Sequence, residues 1–351
     1  MKKTLMKGNT AIAEAAIQAG CHCFFGYPIT PQNELIEYMA KRLPKVDGGV
    51  FVQSESEVAA INMVYGAAGA GARVMTSSSG PGLSLKQEGI SYIAGAELPA
   101  VIVNVMRGGP GLGGIQPAQS DYLQATKGGG HGDYNMLVYA PASVQEAVDL
   151  VQKAFDKADQ YRNPALILVD GVIGQMMEPA EIHESDNSAK YDKSWANGCG
   201  GKERSVINSL YLQAEVLNEH NKKLQKKYAE MKANEIMYET EQVEDADIIM
   251  VAYGTTARIV RSAIKNARKD GIKVGLFRPI TLWPFPYDEL NKTAQNAKSV
   301  VVAEMSCGQM IEDVELALKG SKPVCFVGET GGVIPTSKQI YDEIVKISKE
   351  R

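Results

Sequence analysis

The sequence predicts an α/β protein with a mainly parallel sheet over its first half, followed by a second, smaller α/β domain. Three observations support this prediction. Short apolar runs alternate with helical patterns through residues 1–178, the composition becomes polar and charged over 179–245, and a second alternation begins at residue 246. The chain has 351 residues, which is enough for two domains that each bury a core.

In the first region the apolar runs are continuous rather than alternating, as expected of strands that are covered on both faces of a parallel sheet. The predicted strands are CHCFFGY, GVFVQ, ARVMTSS, AVIVNV, MLVYA and ALILVD. The helical segments between them include ELIEYMAKRL, EVAAINMVYGAAGAG, LSLKQEGISYIAGAE and SVQEAVDLVQKAFDKADQY. Ligands of such folds gather at the carboxyl ends of the strands, so the loops at those ends hold the candidate site.

Residues 179–245 begin with a polar, glycine-containing stretch and continue with the charged helical segment SLYLQAEVLNEHNKKLQKKYAEMKANEI. We interpret them as a linker and a surface helix. The charged face of that helix is either solvated or a docking arm for another subunit. Residues 246–351 then show three or four βα units, with strands such as DIIMVAYG, SVVVAE and PVCFVGE.

Composition excludes several classes of protein. Hydrophobic residues make up 44% and charged residues 22%, ordinary values for a soluble globular chain. The net charge of −4 argues against a nucleic-acid backbone as the main partner. Because no uninterrupted apolar segment reaches the ~20 residues that span a bilayer, we expect no membrane segment and a cytoplasmic location.

The cysteines indicate a reduced compartment and no metal site. The odd number of five, at positions 21, 23, 199, 307 and 325, fits free thiols. Cys21-His22-Cys23 has the residue types of a metal site, but alternate residues of a strand point to opposite faces, so His22 faces away from both cysteines. Without clustered cysteine spacing, we expect no iron–sulfur cluster on this chain.

The loop GYPITP follows the first predicted strand and has two interpretations. Pro31 suits the first position of a helix, which makes Thr30 the N-cap residue. Capping alone does not need Pro28, which stiffens the loop and would let Thr30 present its hydroxyl to a ligand.

Two further loops also have both structural and functional interpretations. Glu55 and Glu57 lie where a helix begins, and the helix dipole favours negative charge there. A partly buried carboxylate at this junction could instead hold a proton for a ligand nitrogen. The stretch TSSSGPGLSLKQE is either a tight turn or a phosphate cradle, although it lacks a lysine in the Walker position.

A fourth loop, NVMRGGPGLGG, places Arg107 directly after an apolar strand. A guanidinium there is either a carboxylate clamp, because it can bind bidentately, or one half of a surface salt bridge. Further on, KGGGHGDY surrounds His131 with glycines, which indicates either a mobile lid or a solvated histidine.

Together, GYPITP, the ESE pair before AAINMVYGAAGAGAR, TSSSGPGLSL and VMRGGPGLG resemble the α subunit of the 2-oxoacid:ferredoxin oxidoreductases. FRPITLWPFP resembles the carboxy-terminal domain of that subunit, which is related to the transketolase C-terminal domain. The resemblance covers essentially the whole chain. It implies a pyrimidine-binding-like domain over 1–178, a linker and surface helix over 179–245, and a transketolase C-terminal-like domain over 246–351.

This resemblance implies thiamine diphosphate chemistry, with oxidative decarboxylation of a 2-oxo acid, transfer of the acyl group to coenzyme A, and electron transfer through iron–sulfur clusters to ferredoxin. Glu57 matches the glutamate that hydrogen-bonds the cofactor's aminopyrimidine ring, since it too lies nine residues before Gly66. Thr30, with Pro28 and Ile29 beside it, matches the cofactor-binding threonine loop near the reacting carbons. Arg107 matches the arginine that meets the substrate carboxylate.

The chain lacks the GDG motif that binds magnesium diphosphate, since Gly132-Asp133-Tyr134 has neither the second glycine nor the downstream asparagine. The resemblance then implies that a β-type partner supplies magnesium and the diphosphate contacts. Separate γ-type and ferredoxin-like subunits would carry the iron–sulfur clusters. We expect the chain to be inactive alone.

Two questions stay open at this stage. The sequence after Arg107, with Gly108 and Leu112, is most similar to branched-chain (2-oxoisovalerate) members, and 2-oxoglutarate is the alternative substrate. The second alternative is a non-catalytic scaffolding subunit, but keeping Thr30, Glu57 and Arg107 together speaks against it. A phosphate-binding enzyme that acts alone would need a complete phosphate site, which the sequence does not offer.

Overall fold

The computed structural model describes residues 3–183, 191–197 and 205–350. Within these ranges the chain forms a seven-stranded sheet, a five-stranded sheet and a two-stranded ribbon. Cys199 and parts of the expected linker lie outside the described residues.

The strands are β1 (Thr4–Lys7), β2 (Cys23–Gly26), β3 (Val50–Gln53), β4 (Val74–Ser78), β5 (Ala100–Met106), β6 (Leu137–Tyr139), β7 (Pro164–Asp170), β8 (Met177–Ala180), β9 (Tyr238–Glu241), β10 (Ile248–Val251), β11 (Val274–Pro279), β12 (Thr281–Trp283), β13 (Ser299–Glu304) and β14 (Val324–Gly328). The α-helices are α1 (Gly8–Gln18), α2 (Asn33–Arg42), α3 (Glu57–Gly69), α4 (Gly80–Gly95), α5 (Tyr122–Thr126), α6 (Val144–Tyr161), α7 (Gly171–Gln175), α8 (Ala214–Asn234), α9 (Gly254–Lys269), α10 (Tyr287–Thr293), α11 (Met310–Leu318) and α12 (Ser337–Glu350).

The seven-stranded sheet confirms the predicted fold class. Its strand order is β12-β6-β7-β5-β4-β2-β3, and the six apolar runs of the first region form β2 to β7, which are all parallel to one another. Every residue of β4, β5 and β7 is buried, which explains their continuous apolar pattern. Helices α3 and α4 pack against each other, and α1 packs against α2 and α6.

The second sheet has the order β14-β13-β10-β11-β9. Four of its strands are parallel, and β9 pairs antiparallel with β11. The sequence interpretation assigned residues 238–241 to the surface-helix segment, but they form β9 at this sheet's edge. In the other direction, β12 leaves the second region and pairs antiparallel with β6 of the first sheet.

A buried carboxylate joins the two regions. Asp170, at the end of β7, accepts hydrogen bonds from the backbone N–H of Thr255 (2.7 Å) and from its hydroxyl (2.6 Å). Gly254 has φ +57°, and a Cβ there would lie 2.5 Å from Asp170 Oδ2. The first turn of α9 can therefore approach β7 closely only because residue 254 is glycine.

The predicted surface helix is present as α8, and one face of it is buried. Leu224, Tyr228 and Met231 are enclosed, and Lys227 donates to the carbonyl of Arg162 (3.1 Å). His220 Nε2 lies 2.7 Å from the carbonyl of Gly95. The helix thus packs on the first region of the chain, while a docking role for its charged outer face stays a prediction.

The segment around His22 shows no metal arrangement. Cys21 is buried and donates from Sγ to the carbonyl of Cys23 (3.3 Å), whereas His22 is exposed. Across the described ranges, no group of three or more His, Cys, Asp or Glu side chains is placed to hold a metal ion. Of the helices that the structure describes, none is long and apolar enough to cross a membrane.

Candidate active site

The strands β2, β3, β4 and β5 are parallel and end at one edge of the first sheet. The segments that follow them, 27–32, 54–57, 79–82 and 107–117, meet at that edge. These segments contain the candidate residues that the sequence predicts at the strand ends.

Glu57 is the first residue of α3, after Ser56, whose hydroxyl accepts from the N–H of Ala59 (3.2 Å) and caps the helix. The Glu57 side chain is only 6% exposed, and its carboxylate makes no hydrogen bond to any residue that the structure describes. Glu55, by contrast, is exposed and accepts from the hydroxyl of Ser56 (2.8 Å). Since burying an unpaired carboxylate is costly, Glu57 is the one whose position requires a further partner.

Glu57 packs directly against Gly82, a residue without a side chain. A Cβ at Gly82, in the first turn of α4, would lie 2.5 Å from Glu57 Oε1 and 2.5 Å from Ser78 Oγ. It would also lie 3.1 Å from Ile29 Cδ1, which brings the first loop to the same place. The hydroxyls of Ser78 and Ser79 are buried without a hydrogen-bond partner. A carboxylate, the unpaired hydroxyl of Ser78 and an apolar side chain thus lie next to one another, and these groups suit a polar heterocycle.

The predicted helix cap at Thr30 is wrong. Helix α2 begins at Asn33, and Gln32 occupies the cap position without a side-chain capping bond. The reason is that Gln32 turns into the core, where its amide oxygen accepts from the Ser77 hydroxyl (2.6 Å), and its N–H bonds back to the Ile29 carbonyl (3.1 Å). Thr30 Oγ1 only accepts a long bond from Asn33 Nδ2 (3.4 Å), so its own hydrogen is free for a ligand.

Arg107 is not part of a surface salt bridge, so that alternative is also wrong. It is buried, and it donates from Nη1 to the carbonyl of Thr30 (2.9 Å) and from Nη2 to the carbonyl of Leu112 (3.2 Å). Its Nε is buried without a partner, and it has no ion pair within the described part of the chain. The charge of Arg107 also acts on the neighbouring carboxyl group of Asp121. Burial raises the pKa of Asp121, whereas the hydrogen bond from Asn104 and the charge of Arg107 oppose that rise. The guanidinium keeps a donor for an anion.

Beside Thr30 lies a cleft of about 590 Å³. Its lining is formed by the residues Thr30, Pro31, Asn33, Glu34, Ile115, Gln116, Pro117, Gly171, Val172, Gln175 and Met176. Glu34 is the charged residue among them, and it is held by Lys7 (2.9 Å) from outside the lining. The cleft therefore presents aliphatic surface, amides and one carboxylate.

The loop after Arg107 is exposed at its tip, where Leu112 is 81% and Ile115 57% exposed. Its base is fixed, because a Cβ at Gly108 would come within 3.1 Å of the backbone of Gly331. Pro28 is exposed on the loop that follows β2. His131 lies elsewhere, with Nδ1 3.3 Å from the hydroxyl of Ser91 in the later turns of α4, and does not join the site.

Sequence reasoning missed one group near this site, Lys86. It is fully buried in α4, and its Nζ donates to Thr76 Oγ1 (2.6 Å) and to the carbonyl of Ser77 (3.0 Å). The available signal was its position four residues after Gly82, which places both on one face of α4.

Two family descriptions match this chain. Residues 14–243 match "Pyruvate flavodoxin/ferredoxin oxidoreductase, thiamine diP-bdg", and residues 246–340 match "Pyruvate:ferredoxin oxidoreductase core domain II". Together they cover most of the chain.

Among curated relatives, the chain is 52% identical to ketoisovalerate oxidoreductase subunit VorB of Methanothermobacter marburgensis, covering 100% of this chain and 99% of that protein. It is 36% identical to 2-oxoglutarate synthase subunit KorA of Methanocaldococcus jannaschii, covering 97% of this chain and 98% of the relative.

Among solved structures, the chain resembles 2-oxoglutarate:ferredoxin oxidoreductase from Magnetococcus marinus with 2-oxoglutarate, coenzyme A and succinyl-CoA bound. The TM-score is 0.87 at 28% identity, over 99% of this chain and 65% of that one, so this chain spans somewhat less than two thirds of its length. A split-gene transketolase, described as an inactive β4 tetramer, matches with a TM-score of 0.62 at 15% identity, which shows a shared fold alone.

Proposed function

Because this chain belongs to the 2-oxoacid:ferredoxin oxidoreductase family, we propose that it is the α-type catalytic subunit of a thiamine diphosphate-dependent complex. The complex would oxidatively decarboxylate a branched-chain 2-oxo acid, 2-oxoisovalerate, to the acyl-CoA and CO₂, and reduce ferredoxin. Two domain matches and a 52% identical ketoisovalerate oxidoreductase subunit support this assignment.

One observation carries the proposal: the buried, unbonded carboxylate of Glu57 beside Gly82 and the unpaired hydroxyl of Ser78. These groups fit the aminopyrimidine of thiamine diphosphate, which offers ring nitrogens to a carboxylic acid and an apolar ring face to Ile29. When bound, the cofactor supplies the carbon nucleophile and the electron sink that decarboxylation of a 2-oxo acid requires.

The chain's own residues then have separate tasks. Glu57 holds and returns a proton at a pyrimidine nitrogen, a general acid–base role that its enclosed position allows. Arg107 binds the substrate carboxylate through its free Nε and the outward edges of its guanidinium, while two backbone carbonyls fix its plane. Thr30 offers its free hydroxyl hydrogen to a polar atom beside the reacting carbons, and its carbonyl accepts from Arg107 Nη1 and so orients the guanidinium.

The site is incomplete without a partner. The sequence lacks a diphosphate–magnesium motif, and the structure offers no metal-binding group within its described ranges. Helices α3 and α4 carry Glu57 and Gly82 at buried positions. Their outer faces expose the apolar side chains of Val58, Met63, Leu85 and Tyr92. We infer that the β-type subunit covers this face and brings magnesium and the diphosphate contacts. The iron–sulfur clusters would belong to γ-type and ferredoxin-like subunits.

The lining of the cleft beside Thr30 favours a branched-chain substrate over 2-oxoglutarate. A second substrate carboxylate would need a cation, and the cleft contains no lysine or arginine in its lining but does contain Glu34. Ile115, Val172 and Met176 instead supply aliphatic contact. The higher identity to ketoisovalerate than to 2-oxoglutarate enzymes agrees with this.

The test is a complex reconstituted from this chain and its partner subunits, assayed for viologen reduction with coenzyme A against a panel of 2-oxo acids. We expect the highest kcat/KM for 2-oxoisovalerate and other branched-chain acids, and negligible activity of the isolated chain. Higher kcat/KM for 2-oxoglutarate would refute the substrate assignment. A complex that is fully active with a catalytically dead version of this chain would support the scaffolding alternative instead.

A further inference from the structure

Lys86 is a buried amine that the proposed reaction does not use. It lies in α4 with no exposed surface, and its Nζ donates to Thr76 Oγ1 (2.6 Å) and to the Ser77 carbonyl (3.0 Å). Thr76 sends its own hydrogen to the carbonyl of Phe25 (2.6 Å), so its oxygen can only accept from the lysine. Lys86 therefore ties the end of β4 to α4.

The hydrogen-bond count allows two charge states at this position. A neutral amine has two hydrogens, and both acceptors are in place for them. A protonated amine has a third hydrogen, for which the described residues provide no acceptor. Burial lowers the pKa of Lys86 to about 7, and the negative charge of Glu57 opposes that shift.

The surroundings connect Lys86 to Glu57. Gly82 precedes Lys86 by one helical turn on the same face of α4, and the carboxylate of Glu57 fills the space that a Cβ of Gly82 would need. Glu57 is the charged group that acts on Lys86 from the packed elements, since β4 contributes only Thr76 and Ser77. Within the described residues the two side chains do not form a direct ion pair, so their interaction acts through space.

We propose that Lys86 is a positioning residue whose charge is coupled to the carboxylate of Glu57, while its hydrogen bonds hold the end of β4 against α4. The inference rests on the proposed function for its catalytic meaning. The negative charge of Glu57 favours the protonated form of Lys86, so removing that charge must change the titration of Lys86. By reciprocity, the charge of Lys86 contributes to the electrostatic environment of Glu57.

The first test needs no cofactor. Melting temperatures of the full chain are measured from pH 6 to 10 for wild type, Lys86→Met, Glu57→Gln and the double variant. The native state binds fewer protons than the unfolded state between a pKa of about 7 and the ordinary 10.5, so wild type should gain stability with rising pH relative to Lys86→Met. In the Glu57→Gln background this gain should begin about one pH unit lower.

Controls separate charge from packing. Lys226→Met, at an exposed position of α8, should show no such pH-dependent difference. Lys86→Gln keeps donors without the charge and serves if Lys86→Met does not fold. An identical onset pH in both Glu57 backgrounds would overturn the proposal.

The second test uses the reconstituted complex. The acidic limb of the kcat/KM profile, and the circular dichroism of the bound pyrimidine, should move to higher pH by about one unit in Lys86→Met. A wild-type complex that responds to thiamine diphosphate while Lys86→Met keeps its profile unchanged contradicts the role of Lys86. A wild-type complex with no thiamine diphosphate-dependent signal contradicts the proposed function. In that case the melting temperatures of the four variants, which need no cofactor, still show whether Lys86 and Glu57 interact.

Discussion

Arg107 donates a hydrogen bond from Nη1 to the carbonyl of Thr30 at 2.9 Å, and so joins the loop that follows β5 to the loop that follows β2. The two strands are not neighbours, since β4 lies between them. The bond therefore bridges the edge where we place the substrate, and it orients the guanidinium without neutralising it. This relationship makes Arg107 a separate test of the site.

Arg107→Gln should raise the KM for the 2-oxo acid by about tenfold to a hundredfold, because a hydrogen bond to a charged group contributes about 1.5–3 kcal/mol. Arg107→Lys should fall between, because it keeps the charge and loses the two-pronged geometry. Initial-rate kinetics of the reconstituted complex measure this effect, with the KM for coenzyme A as the internal control. An unchanged KM for the 2-oxo acid would exclude Arg107 as the clamp.

Glu57→Gln should lower kcat by about 10²- to 10⁴-fold, the usual contribution of a general acid–base group. Size-exclusion chromatography should show unchanged assembly, since the amide is nearly isosteric. The matched control is Glu55→Gln, two residues earlier on the exposed side, for which we expect near wild-type kcat. Equal losses in both variants would mean that burial does not distinguish the catalytic glutamate.

Gly82→Ala should lower the melting temperature and weaken cofactor binding together, because the new methyl group would meet Glu57 and Ser78 at 2.5 Å. Gly66→Ala is the control in α3, where a Cβ meets nothing within 4 Å. That change should stabilise the chain by about 0.5–1 kcal/mol. Calorimetry of the isolated chain and titration of the complex with thiamine diphosphate measure the two effects. Unchanged binding of thiamine diphosphate in Gly82→Ala would contradict a cofactor site beside Gly82.

Met63→Glu should prevent assembly with the β-type partner while the isolated chain stays folded. The side chain lies exposed on α3, and burying a charge at a packed interface costs several kcal/mol. Leu316→Glu, on the exposed face of α11 in the second region of the chain, is the control and should assemble normally. Co-purification of tagged partners measures both. Assembly of Met63→Glu with full activity would show that the partner binds another face.

Six of the seven strands of the first sheet could be predicted because each is a continuous apolar run between helical patterns. The position of Glu57 near the start of a helix was also predictable, although its burial and the exposure of Glu55 were not. Both residues suit a helix N-terminus equally well, and only the folded structure shows that Glu57 is the one buried next to Gly82.

The cap at Thr30 was mispredicted because local rules consider only the helix that follows. Gln32 forms a better-buried bond to Ser77 on a distant strand, and that tertiary contact delays the helix to Asn33. Lys86 was missed for a similar reason: a lysine in an amphipathic pattern is usually solvated, and its burial depends on Thr76 and Ser77.

The three residues of β12 have a consequence for how this chain is made. During synthesis the edge of β6 stays unpaired until residues 281–283 have left the ribosome, and an open edge is a template for pairing with other chains. A gene divided after residue 245 would leave its first product with that edge exposed. The second product would carry β12 without the sheet that it pairs with, so a division at the compositional boundary would separate β6 from the strand that covers its edge.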